Sequence, residues 1–434
     1  MIRRRTVCIA VLAVSFLFLT SLVFAQPQPP TGVRASAGAS NAPALTQLKA
    51  PTGGKIMVGP LEVHPSLAFT ETYSDNIYSS YDNKDKESDF ITTLSPGLSF
   101  VLPMRRHSLE VGYQANINWY ADNNETDYTD HLVGGALNLD FPGGLIITLS
   151  DYYSIATTPR KWKDQPGFTG ATDAYRDKDY KRNDLNAMVR YNFADRWAIS
   201  ARYNNYNVEY DEVYDDGGSY NRDLGGGSIF YRFTAKTEAL IEYSYSEVDY
   251  DTSNTDDNSN QMAYVGLSFD PTAKLNGYLK LGWTEKDYDQ TVAGRDDKLD
   301  AFSSLVDLRY NLSSYNQLSL KVTRVIEEDI DTNAAFTRDD VRLGFYHVLA
   351  WNEKINLNAH VGYGKEKFER GAVDVDGITK IRDTEKWSGG VGIGYDVQDW
   401  LSFKLDYTYT DNDSNFKRYD YAENRVALTG VVYF

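Results

Sequence analysis

The amino-acid sequence predicts an all-β fold: a transmembrane antiparallel up-and-down β-barrel of about eighteen strands behind a signal peptide and a short disordered leader. Three observations carry this. The final strand-length segment alternates up to its last residue, Phe434. Short turns and long polar segments alternate along the chain, and an export signal stands at its start.

Val426, Leu428, Val432 and Phe434 share one phase with Gly430, and Ala427, Thr429, Val431 and Tyr433 share the other. The last strand of a barrel needs this pattern. One face meets lipid and the other the lumen, and pairing with the first strand leaves no open edge in hydrocarbon. At the other end, Arg3, Arg4 and Arg5 precede an apolar run from Val7 to Phe24, closed by Val23-Phe24-Ala25, a small-residue cleavage site. Residues 1–25 therefore read as a secretory signal peptide. The one cysteine, Cys8, lies inside that run, so the mature chain is expected to carry no thiol, disulfide, cysteine-ligated metal or lipoprotein anchor.

No other apolar run approaches the length of a membrane-spanning helix. Mean hydropathy is −0.48, yet aromatics make up 14% of the chain, with 33 tyrosines. An exported chain this polar and tyrosine-rich is either a large soluble β protein or an outer-membrane barrel, where polar residues line lumen and loops. The formal charge of −17, more negative without the arginines of the signal, argues against nucleic acid as a partner.

Residues 26–60 are rich in Pro, Ala, Gly and Ser without a usable period, which reads as a flexible periplasmic leader, or alternatively a partial plug. From Leu61 to Phe434 the pattern is one meander. Leu109, Val111, Tyr113, Ala115, Ile117 and Trp119 oppose Glu110, Gly112, Gln114, Asn116 and Asn118. Leu275, Leu279, Leu281 and Trp283 oppose Asn276, Lys280 and Thr284. Ile355, Leu357, Ala359, Val361 and Tyr363 oppose Asn356, Asn358, His360 and Gly362, and Leu401, Phe403, Leu405, Tyr407 and Tyr409 oppose Ser402, Lys404, Asp406, Thr408 and Thr410. Each stretch runs roughly nine to eleven residues, enough for a tilted strand to cross the apolar layer.

Short turns fall at Pro103, Pro142-Gly143-Gly144, Ala194-Asp195, Thr234-Ala235, Pro271-Thr272, Ser313-Ser314, Asn352-Glu353 and Gln398-Asp399. Longer polar segments lie between and outside them, including 79–88, 122–126, 158–177, 211–219, 251–260, 290–297, 328–337, 369–383 and 411–417. Tight periplasmic turns and long outer loops are the two ends of an outer-membrane barrel; a sandwich or propeller has no reason to keep this alternation. Pro96-Gly97 predicts a bulge or bend, since Pro cannot donate to the ladder. Gly389, Gly390, Gly392 and Gly394 predict tight curvature or a widened lumen.

No catalytic or cofactor motif is present. His64, His107, His131, His347 and His360 have no metal-binding spacing, and Gly225-Gly226-Gly227 lacks the Lys of a phosphate loop. The expectation is a non-enzyme without metal or cofactor. Asp82, Asp85 and Asp89, and Asp249, Asp251, Asp256 and Asp257, fall in or beside two long loops without calcium-loop spacing, so they read as solvated tips or as divalent-ion bridges to lipopolysaccharide. The expected lumen-lining residues are Glu110, Gln114, Asn116, Asn118, Arg190, Arg202, Asn204, Glu242, Lys280, Asp307, Arg309, Lys321, Asn356, Asn358, His360, Lys404 and Asp406. Both signs and many amides occur, which suits neutral polyols or an ordinary water-filled pore.

The first hairpin resembles a known family. His64-Pro65-Ser66-Leu67, Tyr73-Ser74-Asp75-Asn76-Ile77-Tyr78, Ser88-Asp89-Phe90-Ile91 and Leu94-Ser95-Pro96-Gly97-Leu98 resemble the opening of the β-barrel porin family associated with exopolysaccharide export loci. The resemblance extends over 61–434, by motif at the first hairpin and by architecture beyond it. It implies a barrel in the outer membrane of a Gram-negative cell that assists polysaccharide export, touching lipid and lipopolysaccharide and working with periplasmic export proteins. It implies no catalytic residues, a capping role for Asp75 and Asn76, and a role for Phe434 as the signal read by the outer-membrane insertion machinery. The residues alone leave two other functions open, a general diffusion porin for small solutes and a non-conducting structural or adhesive surface barrel.

Overall fold

The structure, a computed structural model, describes residues 55–81, 86–158, 178–210, 219–251, 257–289, 297–329, 334–374 and 377–434. The expected signal peptide and most of the expected leader lie outside these residues, as do Asp82, Asp85 and Asp256.

A short strand β1 (Ile56–Val58) precedes 18 barrel strands. These are β2 (Leu61–Ser74), β3 (Asp89–Met104), β4 (His107–Tyr120), β5 (Tyr128–Asp140), β6 (Leu145–Thr158), β7 (Lys178–Phe193), β8 (Trp197–Tyr210), β9 (Tyr220–Thr234), β10 (Thr237–Tyr250), β11 (Asn258–Phe269), β12 (Leu275–Tyr288), β13 (Lys298–Asn311), β14 (Asn316–Asp329), β15 (Ala334–Val348), β16 (Ile355–Val373), β17 (Thr379–Gln398), β18 (Leu401–Ser414) and β19 (Tyr421–Tyr433). Each pairs antiparallel with its chain neighbour, and β19 closes on β2 from Arg425↔Ser74 to Tyr433↔Ser66. Closure leaves backbone groups paired around the ring, as hydrocarbon demands. No helix among the described residues is long and apolar enough to cross a membrane.

The wall has two chemistries because side chains alternate across it. On β10, Ile241, Tyr243 and Tyr245 are exposed, whereas Leu240, Glu242, Ser244, Ser246 and Val248 are buried. The outward face is apolar, as with Phe403, Leu405 and Tyr407 on β18. Exposed aromatics mark its two edges: Tyr73, Phe90, Trp119, Phe302, Trp387 and Tyr409 toward the long loops, and Tyr191, Trp197, Tyr310, Tyr395 and Trp400 toward the short turns. Such girdles sit at the two membrane–water interfaces.

Three local outcomes differ from the sequence reading. The strands reach 20 residues in β17, well beyond the nine to eleven of the apolar crossing, because segments read as loop flanks continue the ladder into water. Pro96 produces no bulge: pairing between β3 and β4 stops after Leu94↔Ile117 and resumes in the same register at Gly97↔Gln114. Register shifts occur instead at Thr237/Glu238, Lys367/Gly371 and Asp396/Gln398. Finally, Ile56–Val58, within the expected leader, is a strand. It turns at Gly59, whose φ of +63° suits glycine, and pairs with β2 from Val58↔Leu61 to Ile56↔Val63. Phe434 donates its N–H to the Pro65 carbonyl at 3.0 Å, so β19 and β1 share one edge of β2 between them.

Candidate functional site

The inward phase of the wall carries the polar side chains. Glu110, Gln114, Asn116 and Asn118 lie on β4; Arg190 on β7; Arg202 and Asn204 on β8; Glu242 on β10; Lys280 on β12; Asp307 and Arg309 on β13; Lys321 on β14; Asn356, Asn358 and His360 on β16; Lys404 and Asp406 on β18. All are opposite in phase to the exposed apolar side chains of their strands. Asn116 and Asn118 do not meet Asn356 and Asn358, because β4 and β16 are not neighbours in the ring.

One cluster of inward charge lies on β8 to β12. Glu242 receives Lys280 Nζ at 2.8 Å and Ser228 Oγ at 3.2 Å on one oxygen, and an Arg202 guanidinium nitrogen lies 3.1 Å from the other. Arg202 also donates to Ser244 Oγ at 3.1 Å. The contacts of Arg202 and Lys280 skip a strand, since inward curvature brings long side chains from β8 and β12 over the small ones between. Next to them, Arg190 donates to both oxygens of Glu238 at 2.9 and 2.8 Å, with its guanidinium 4.2 Å from the Phe230 ring centre, and Arg232 adds a 2.7 Å pair. Glu242 is only 5% exposed, so its charge is held by partners rather than by water. Glu238, Arg232 and Phe230 were missed in the sequence, although Glu238 stands in phase with Glu242.

The arc of β16 to β18 is different. The inward glycines of β17, Gly390, Gly392 and Gly394, form a floor over which neighbouring side chains lie. A Cβ on Gly390 would meet the His360 ring; on Gly392 it would stand 2.5 Å from Asn358 Nδ2, and on Gly394 2.6 Å from Asn356 Oδ1. The amides therefore lie flat along the wall rather than across the lumen. Lys404 and Asp406 pair on the adjoining strand at 2.9 Å. Gly389 is in the outward phase and has no part in this floor. Hydroxyls continue it past the closing ladder, where Thr70 and Thr429 meet at 3.0 Å.

The motif residues of the first hairpin are structural fasteners. Asp75 accepts the Asn424 N–H and side-chain amide, both at 2.7 Å, tying β2 to β19 above their ladder. Asn76 donates to the Ser80 and Ala422 carbonyls and accepts the Ser80 N–H. Buried Asp89 accepts N–H groups of Phe90, Asp122 and Asn123 and the Asn123 amide. A carboxylate so engaged has a capping role, not that of an ion bridge. No cluster of metal-ligating side chains occurs among the described residues.

Replacing Glu242 with Gln is expected to leave Arg202 and Lys280 without their anion and to shift the pore toward anions. Reversal potentials across a salt gradient in planar bilayers report it. An unchanged potential would place this cluster off the ion path.

Solved structures with similar shape include three Pseudomonas aeruginosa proteins. OpdK, crystallised with vanillate, is 10% identical, with 86% of this chain and 99% of that one covered and a TM-score of 0.45. OccK2 is 11% identical over 88% and 100%, also at 0.45, and OpdO is 13% identical over 86% and 97%, again at 0.45. No curated protein matches the sequence. The family model described as "Putative beta-barrel porin 2" matches residues 50–433, and with the closed two-faced wall it establishes that the chain belongs to this family of outer-membrane channel barrels of Gram-negative cells, which are porins and not enzymes.

Proposed function

We propose that this barrel is a conduit assisting export of an exopolysaccharide across the outer membrane, in concert with periplasmic export proteins. The observation that supports this most is the row of inward amides, Asn356 and Asn358, lying along the glycine floor at Gly390, Gly392 and Gly394, with the neighbouring Lys404 and Asp406 paired to each other. Amides and hydroxyls lying along a wall offer a sugar chain many equivalent hydrogen bonds without a deep pocket. Weak, repeated contacts let a polymer enter and still leave. A general diffusion porin is the second reading, favoured by the close cluster of Arg202, Glu242 and Lys280, which lines the opposite arc with both signs of charge.

The deciding experiment is planar-bilayer conductance of the purified mature chain with and without neutral oligosaccharide. The export reading expects weak ion selectivity and reversible block with millimolar-scale affinity, about −4 kcal/mol. Filling the floor with Gly392→Val, which sets a branched side chain against Asn358 and Asp406, is expected to weaken that block. Strong ion selection untouched by sugars would leave the diffusion porin. A barrel silent even after removal of residues 26–60 would be the surface-structure protein.

A further inference from the structure

One seam of the wall is unzipped. The β13–β14 ladder runs from Asn311↔Gln317 to Ser304↔Arg324 and stops there, although both strands continue toward the outer end. Above that point β13 stays paired with β12 as far as Asp287↔Lys298, and β14 stays paired with β15 as far as Asp329↔Ala334. Continuing the register would set Ser303 against Val325, Phe302 against Ile326 and Asp300 against Glu328. The last pair opposes such a continuation, since two carboxylates directly opposite on one face of a ladder repel.

Glu328 instead turns into the mouth of the lumen. Its carboxylate lies 3.0 Å from Lys286 Nζ and accepts Tyr250 Oη at 2.8 Å and the Asn258 amide at 3.1 Å. These partners belong to β12, β10 and β11, so the outer end of β14 passes across the inner side of β13. At the fork, Arg324 donates to the Phe302 carbonyl at 3.1 Å and is held by both oxygens of Asp339 at 3.0 Å, supplying a donor where the ladder no longer does. A cavity of about 210 Å³ remains in the seam, lined by Lys298, Leu299 and Asp300 on one side and Ile326, Phe336, Thr337 and Glu369 on the other.

We propose that the outer ends of β14 and β15 form an inward-leaning flap, that Glu328 is its latch, and that the latch sets the width of the outer mouth and hence the size of solute admitted. The two arrangements exchange one set of bonds for another. Latched, Glu328 holds three partners across the mouth and the ladder stays open. Released, the flap swings back, β13 and β14 complete their ladder, and the mouth widens. Such an exchange between two bonded states is what a two-position element requires. This inference stands on the seam alone and holds whether the cargo is a polysaccharide or a small solute.

Single-channel conductance in plain salt tests it, with sugar left out so that the result is separate from the export reading. Glu328→Ala removes both the repulsion and the latch and is expected to give roughly a doubling of conductance as the outer mouth widens. A cysteine pair, Ser303→Cys with Val325→Cys, traps the zipped ladder. With no other cysteine than Cys8 in the sequence, its oxidation is expected to raise conductance and dithiothreitol to restore it. If the pair stays reduced in the folded barrel and Glu328→Ala conducts like the parent, the flap is fixed and the proposal fails. If the disulfide widens the pore while Glu328→Ala does not, the seam moves but Glu328 is not its latch. Should Glu328→Ala fail to assemble, the cysteine pair decides alone.

Discussion

Leu320→Arg is expected to destabilise the barrel by roughly 2–4 kcal/mol, the cost of a cation on the lipid face near the bilayer midplane. Leu320 lies between Leu308 of β13 and Leu343 of β15, in phase with Leu318 on its own strand. Leu405, between Ile393 and Leu428, is a second site of the same kind and is expected to respond alike. Their neighbours Lys321 and Lys404 face the other way, and Lys321→Leu is expected to be tolerated. Urea titration of barrels folded into vesicles reads the difference. Normal stability of Leu320→Arg together with failure of Lys321→Leu would mean that the facing is wrong by one residue.

Deletion of Phe434 is expected to block assembly in cells far more than its packing accounts for. Burying a whole Phe contributes only about 1.5–3 kcal/mol, and this ring is 56% exposed. Its N–H also supplies the bond to the Pro65 carbonyl that brings β19 to the end of its ladder on β2. The larger effect follows from the family resemblance, in which a terminal aromatic is read by the insertion machinery. Heat-modifiable migration of outer-membrane fractions measures it. Efficient folding of the truncated chain in cells, alongside slow folding of the same chain into lipid in vitro, would overturn the recognition role.

Legibility followed the range of the interaction concerned. On β4, β12, β16 and β18 the facing of each side chain followed from alternation alone, because successive residues point to opposite sides of any strand. The turn at Pro142-Gly143-Gly144 was legible because glycine is the residue that takes positive φ at a tight corner, as Gly143 and Gly144 do. The purpose of Pro96 was less so: a missing donor can be met by a bulge or by skipped pairs, and only the neighbouring strand decides which. The glycines of β17 were visible as a run, but what fills the space above them depends on β16 and β18.

The sequence by itself determined a closed, two-faced meander that ends in pairing between its first and last strands, since period-2 alternation and turn spacing are local properties of the chain. Only the tertiary structure decided which inward groups meet. Arg202 and Lys280 reach Glu242 across intervening strands, and Glu328 leaves its own face to bind Tyr250, Asn258 and Lys286. The physical reason is curvature. Within an unbroken ladder alternation fixes the side of the wall on which a residue stands, whereas the bending of the wall, the register of strands that are not neighbours and, for Glu328, the open β13–β14 seam fix how far its charge must reach to find a partner.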